Sequence, residues 1–285
     1  MTPVYFKKQN HRPSLAVLLP LSLSMILLLL SACSGGAAIS APTGLLTPGV
    51  LTVGSDTTYP PQEYIDPKTN KAAGFDIDLI TAMAQRMGLK VNIVPAKFDS
   101  LMDGLAARHF DVVISAVSVT PDRQKQADFV PYFNAGESLL VQAGNPKHIT
   151  STDDLCGLAV GVQQGTIDQG VLQSSSDNCL EQDKPAITII ALEDQTAVIQ
   201  LLSTGRAVAT YQDSPVTDYF SKQHPDQYAV AGSVFAPGPE GIAVRKNDSS
   251  MLNAIQSAYQ QVKSAGTYHQ LILKWGLNNE ELNGG

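Results

Sequence analysis

Arg123 has two serines, Ser115 and Ser118, shortly upstream and the triplet Thr120-Pro121-Asp122 directly before it. A planar guanidinium beside hydroxyls and free backbone N–H groups is a receptor for a carboxylate. The elements that must position these residues fit that chemistry. Val112, Val113 and Ile114 form a β-branched apolar run, the pattern of a buried parallel strand. Thr120 is an N-cap residue, and Pro121 suits the first helical position. The serines therefore lie where a strand leaves a sheet and a helix begins, the edge at which open α/β sheets bind ligands. Taken alone, the same residues fit a capped surface helix with a solvated arginine equally well.

The flanking chain supplies the context. A short β run at 50–54 leads into a loop at 55–61, and a turn at 66–70 suggests a small hairpin. Asp76 is expected to cap a helix with the apolar stripe Leu79, Ile80, Met83 and Met87, closed by Gly88. A strand at 91–94, a helix at 99–107 and a strand at 111–116 complete a β-α-β-α-β series. A second series follows: strand 159–162, helix from Thr166 to about Gln173, strand 187–192, helix 194–204 and strand 207–211. It ends in Gln212-Asp213-Ser214-Pro215, where Pro215 again marks a helix start and Ser214 is the expected cap. A strand at 241–245 and amphipathic helices at 247–264 and 267–275 have no sheet of their own, so they return to the first half. The expectation is an α/β protein of two lobes, each a mostly parallel sheet flanked by helices. Residues 49–138 and 240–285 form lobe 1, and 139–239 form an inserted lobe 2. Two crossing strands, near 139–143 and 237–243, make a hinge.

The front of the chain is a separate matter. Lys7, Lys8 and Arg12 precede an apolar run at 15–30, of signal-peptide length and short for a membrane span. Leu30-Ser31-Ala32-Cys33 resembles the bacterial lipoprotein cleavage motif. That resemblance implies a signal peptide over 1–32, diacylglycerol on the Cys33 thiol and cutting just before it. The alternative is an uncleaved signal anchor with an incidental cysteine. Residues 33–48 are small and polar and read as a flexible tether. Without 1–32, the chain keeps 16 of its 19 Lys+Arg against 26 Asp+Glu, a net of −10. That balance argues against nucleic acid or an anionic surface as partner. Cys156 and Cys179 remain, and an even pair in an exported protein suggests a disulfide. Without a nearby His or Cys they make a poor zinc set, and no metal or cofactor is expected.

With the pieces placed, the chain resembles the extracellular solute-binding protein family 3, the receptors of polar amino-acid ABC importers. Seven stretches carry the likeness, in order, between about residues 51 and 277. They are Val-Gly-Ser-Asp-Thr-Thr-Tyr-Pro-Pro (53–61), Gly-Phe-Asp-Ile-Asp-Leu (74–79), Phe-Asp-Ser-Leu (98–101) and Ser-Val-Thr-Pro-Asp-Arg (118–123). Gly-Val-Gln-Gln-Gly-Thr (161–166), Gln-Asp-Ser-Pro (212–215) and Gly-Thr-Tyr…Lys-Trp-Gly (266–276) follow. The resemblance implies a two-lobed periplasmic-binding-protein-like fold of type II, without enzymatic activity. It implies that Arg123 and the N–H groups around Gly165 and Thr166 hold a ligand's α-carboxylate. The α-ammonium would go to Asp213 and the Ser118 hydroxyl, with the backbone at Ala116 as a further polar contact. Ser115 is either a contact or a hydroxyl satisfied within the strand end. Asp56, Tyr59 and Phe98 would meet the ligand's side chain. Two aromatic walls suit a flat or cationic group. Core packing is the alternative for Tyr59 and Phe98, and a turn cap the alternative for Asp56.

Three departures from the family pattern stand out: Gln62 for a phenylalanine, Ile167 for a second threonine, and Val208 for an aspartate. Asp56 and the nearby Glu63 favour a basic ligand, arginine, lysine or histidine, then glutamine. The implied partners are a free amino acid, a membrane permease and the membrane itself through the lipid; the protein would be an extracytoplasmic monomer. One rival is an amino-acid sensor or adaptor for a signalling partner. Another is an enzyme resembling cyclohexadienyl or arogenate dehydratases, with His109 and Glu137 as the titratable groups to suspect near the cleft.

Overall fold

The computed structural model describes residues 1–10 and 39–277. Cys33 and most of the expected signal peptide lie outside the described residues. Met1–Ala37 and Ala38–Gly285 are separate units, and every strand and helix named below belongs to the second.

The chain opens with β1 (Val50–Ser55). A small antiparallel sheet comes next, made of β2 (Thr58–Tyr59), β3 (Glu63–Asp66) and β4 (Lys71–Ala73). Helix α1 (Phe75–Arg86) buries Leu79, Ile80 and Met83 on one face, as the stripe predicts. Its N-cap is Gly74, at φ 130°, where a Cβ would stand 2.1 Å from the Gln62 carbonyl oxygen. Only glycine fits there. Then come β5 (Lys90–Pro95), α2 (Leu101–Ala106), β6 (Val112–Val113), α3 (Pro121–Gln126) and β7 (Ala127–Gln142). The second series holds β8 (Ala159–Gln163), α4 (Ile167–Glu181), β9 (Thr188–Leu192), α5 (Gln195–Ser203), β10 (Ala209–Asp213) and α6 (Ser214–Gln223). The last elements are β11 (Tyr228–Arg245), α7 (Ser249–Ser264) and α8 (Thr267–Trp275).

Eight strands run in the order β5-β1-β6-β11-β7-β10-β8-β9. β1 pairs in parallel with β5 and β6, and β8 in parallel with β9 and β10. β7 and β11 pair antiparallel with each other along their length and serve both groups. The two ends of the sheet therefore repeat one scheme and form two lobes joined by two strands. Register shifts fall between Ala231 and Phe235, Phe235 and Gly238, and Glu240 and Gly241. Bulges of this kind bend a strand. Gly136 packs so closely there that a Cβ would come 2.7 Å from the Phe235 carbonyl oxygen.

Each lobe has its own apolar core. Leu51, Phe75, Ile80, Tyr132, Ile255 and Ile272 belong to one cluster; Leu139, Val160, Val162, Leu172 and Tyr211 belong to another. Helices α7 and α8 pack on the first, as their lack of a sheet implies. Cys156 and Cys179 are disulfide-bonded across 23 positions, with Cα atoms 5.6 Å apart. On the loop-entropy model such a closure stabilises by roughly 3 kcal/mol.

Several expectations are corrected. Asp76 is not a cap: it sits inside α1, fully buried, and its carboxyl faces the core. Ser214 is the first residue of α6, and Asp213 occupies the cap position without capping through its side chain. Helix α4 continues past Gln173 despite Gly170 and the serines at 174–176; the Ser174 hydroxyl donates to the Gly170 carbonyl inside the helix. Strands β7 and β11 start well before the expected runs at 139 and 237. From residue 39 the expected tether is pinned: Ile39 and Leu45 pack on the first core, and the Leu46 N–H donates to Asp111.

Candidate functional site

β1, β6, β8 and β10 all point their C-terminal ends at one place. β1 leads into Asp56, with Tyr59 on β2 just beyond it, and β6 delivers Ser115, Ala116 and Ser118. β8 delivers Gln163 and the start of α4, while β10 delivers Asp213. Between them lies a narrow cavity of about 10 Å³, lined by residues of both lobes.

Seven expected residues line it: Tyr59, Phe98, Ser115, Ala116, Ser118, Thr166 and Asp213. The Tyr59 hydroxyl donates to the Asp213 carboxylate at 2.7 Å and ties the lobes together. Thr166 caps α4, its hydroxyl accepting from the Gln169 N–H at 3.2 Å. Ala116 sits at φ 48°, and its N–H donates to the Asp76 carboxyl at 3.1 Å. Any contact from Ala116 to a ligand therefore falls to its carbonyl.

Arg123 is held at the cavity's edge. Thr120 caps α3 by accepting from the Arg123 N–H. The guanidinium donates to the Ser118 carbonyl at 3.0 Å and, across the cleft, to the Gly165 carbonyl at 3.3 Å. It also lies 5.3 Å from the Phe98 ring centroid, a cation–π distance. One face of Phe98 thus serves Arg123. Gly165 approaches the other lobe so closely that a Cβ would stand 2.7 Å from the Asp99 Cβ. Its φ of 80° also favours glycine. Gln164 donates to Asp99 at 2.7 Å, and the Thr196 hydroxyl to the Thr58 carbonyl at 3.0 Å. The lobes are in contact around the site.

Asp56 does not reach the cavity wall. Its carboxyl accepts from Thr58 and from the Gln163 amide, and Gln163 is the residue that lines the cavity. Glu63 and Gln62 are also withdrawn. The Ser115 hydroxyl donates to Glu63 at 2.8 Å and accepts from the Asp56 N–H at 2.8 Å. Gln62 donates to Glu240, while the Tyr132 hydroxyl donates to Asp76 at 2.6 Å. Ser115 is therefore satisfied within the strand end as well as lining the cavity. Beneath the site, Glu63 and Asp76 form a buried acid pair. Of the two residues suspected for an enzyme, His109 is exposed, and Glu137 pairs opposite Asp213 in the sheet but is buried behind the Tyr211 hydroxyl that donates to it.

Three wall residues are not singled out by the sequence for contact: Gln163, Asp168 and, except as a departure, Ile167. Gln163 lies inside the Gly-Val-Gln-Gln-Gly-Thr motif, where a signal was available. Asp168 gives only the ordinary signal of an acid in a helix's first turn, and its 2% exposure alone separates it from that pattern.

Comparison with known proteins decides the family. The family model described as bacterial extracellular solute-binding proteins, family 3, matches residues 51–278. This chain belongs to that family. It is 32% identical over 263 residues to the lysine/arginine/ornithine-binding periplasmic protein of Escherichia coli (strain K12), covering 90% of this chain and 95% of that protein. It is 31% identical over 228 residues to the L-cystine-binding protein TcyJ of the same strain, covering 80% and 82%. An ancestral arginine-binding protein bound to arginine superposes with a TM-score of 0.74 at 35% identity, over 80% of this chain and 98% of that one. The same figures hold for that ancestral protein bound to glutamine. No helix among the described residues of this solute-binding protein is long and apolar enough to cross a membrane.

The carboxyls of the site titrate unusually. Burial lifts Asp56 to about 6, against the donors Gln163 and Thr58 that favour its charged form. Burial lifts Asp76 to about 6, opposed by Tyr132 and the Ala116 N–H. Burial lifts Asp213 to about 7, opposed by Tyr59 and Arg123. An acid whose folded pKa exceeds its unfolded one binds its proton more tightly when folded, so stability falls as pH rises through that window. The ligand-free protein is therefore expected to melt higher at about pH 5 than at about pH 8. A melting profile that is flat, or lower at the acid end, contradicts this.

Proposed function

We propose that the protein is the substrate-binding component of an ABC importer, captures one free polar amino acid by lobe closure, and is anchored outside the membrane by lipid on Cys33. The single observation that supports it most is a small cavity lined from both lobes, with Asp213, Ser118 and a capped helix start on its walls and Arg123 at its edge. In this reading Arg123 and the N–H groups at the start of α4 take the α-carboxylate, which is the chemistry of a guanidinium and a helix N-terminus. Asp213 and Ser118 take the α-ammonium, and Tyr59, Phe98 and Gln163 meet the side chain. Lobe 1 is 49–138 with 240–285, and lobe 2 is 139–239, with the strand irregularities near 231–241 acting as the hinge.

A zwitterion whose two charges are divided between the lobes binds the closed form better than the open one. Only such a difference shifts the population. The closed form then docks on a membrane permease. Basic amino acids come first as ligands, then glutamine. Acidic groups at or just behind the wall (Asp213, Asp168 and, through Gln163, Asp56) support that order. So do the lysine/arginine/ornithine, arginine and glutamine named for the relatives.

The test is thermal shift of the full chain in mild detergent against the twenty amino acids and L-cystine. Stabilisation of several degrees by one or a few polar amino acids, lost in Asp213→Ala, is expected (two desolvated charge pairs give roughly micromolar affinity or better). No shift with any of them overturns the amino-acid assignment. Mass spectrometry of the membrane-extracted protein is expected to find a chain that begins at Cys33 and carries acyl groups; a chain that keeps residues 1–32 and carries none contradicts the lipid anchor.

A further inference from the structure

Asp168 is a carboxylate with no assigned task. It is the second residue of α4, where an acid ordinarily points to solvent near the helix start. Here the side chain is turned inward: the residue is 2% exposed, lines the cavity, and its Oδ1 has no hydrogen-bond partner among the described residues. An unpartnered carboxylate oxygen in a desolvated wall is costly unless something occupies it. Asp213, 8% exposed, lines the same cavity and spends one oxygen on Tyr59.

Resting on the amino-acid reading of the site, we propose that Asp168 joins Asp213 as a second carboxylate for the ligand's ammonium, so that binding displaces a proton the two hold between them. A primary ammonium has three N–H donors. Asp213 and the Ser118 hydroxyl account for two acceptors, and the free Asp168 Oδ1 is the third. Before binding, the pair is one carboxylate and one carboxylic acid, because two like charges in a dry wall do not both ionise. On binding, the acid's O–H bond breaks, the proton leaves to solvent, and the ammonium sits between two carboxylates.

The surroundings agree. Burial and then the Asp213 charge push the Asp168 carboxyl well above its ordinary range, with Glu137 of β7 adding to this. Burial raises Glu137 too, and its carboxyl accepts from Tyr211 rather than reaching the cavity. Arg123 of α3 is the cation whose charge acts on both aspartates, and it is committed to the Ser118 and Gly165 carbonyls. Tyr59 and Tyr211 face the pair as phenols, held neutral by burial. A free amine is thereby required of the ligand, and an N-acylated or keto analogue leaves two carboxylates without a cation.

The experiment is calorimetric titration of the full chain in detergent with L-arginine, L-lysine, L-histidine, L-glutamine and L-cystine, each in phosphate and in Tris at about pH 7. The amino acids that bind are expected to release close to one proton each, as the difference between buffers reads directly. Asp168→Asn is expected to release almost none and to bind about tenfold or more weakly, while Asp168→Glu recovers part of the proton release. Unchanged affinity and proton release in Asp168→Asn, in a protein with wild-type circular dichroism, overturns the proposal. If none of the five binds the wild type, the amino-acid reading fails on its own. The pair is then read without ligand, from carboxyl 13C resonances of aspartate-labelled protein. One of the two carboxyls is expected to titrate near neutrality, and the Asp213 titration to move down in Asp168→Asn as the neighbouring like charge is removed. Two ordinary titrations in the wild type overturn the acid pair.

Discussion

Around the cleft, buried carboxyls outnumber cations, and much of the local architecture depends on that imbalance. Asp56, Glu63, Asp76, Asp168 and Asp213 are all under a tenth exposed. Arg123, the guanidinium at the cavity edge, is itself half-buried and spends its donors on backbone carbonyls. Three of the other acids accept from neutral donors: Thr58 and Gln163 for Asp56, Ser115 for Glu63, Tyr132 and the Ala116 N–H for Asp76. In the proposed reading, a site assembled in this way takes a cation. It is also one in which protons are held near neutral pH, because desolvation disfavours every one of these charges.

The same acids bind the lobes together. Tyr59 of one lobe to Asp213 of the other, and Gln163 to Asp56 in the reverse direction, are buried contacts. The Lys97–Glu193 pair at the rim is 2.6 Å long but exposed, so it contributes little. The contact between the lobes thus includes polar groups that water would otherwise satisfy. In the proposed reading, a ligand that adds its own charges to both walls tips the balance toward the closed form. The two long strands β7 and β11, with irregularities concentrated between 231 and 241, join the two halves, and each half keeps its own core.

What the sequence shows and what it hides divides along the range of the physics. Thr120, Pro121 and Arg123, or Thr166 at the start of α4, are legible because caps and helix starts are local. The repeated strand–loop–helix scheme makes the two-lobed α/β architecture legible, and α7 and α8 find their place by having no sheet of their own. Asp76 reads as a helix cap and Asp168 goes unmarked, since nothing local says that a side chain turns inward. Asp56 reads as a ligand contact, whereas Gln163, 107 positions away, stands between it and the cavity. The length of β7 is hidden because its first half carries Pro131 and alternates buried and half-buried residues in no clean period. Burial of this kind is set by partners distant in sequence.

The claim that one zwitterion bridges the lobes is tested most directly by small-angle scattering of the full chain in detergent. The radius of gyration would be compared without ligand, with the most stabilising amino acid of the panel, and with its carboxamide and N-acetyl derivatives. The account predicts compaction with the free amino acid and none with either blocked form, since each lacks the charge that one lobe grips. Equal compaction by a blocked form, or none by an amino acid that binds, would contradict it.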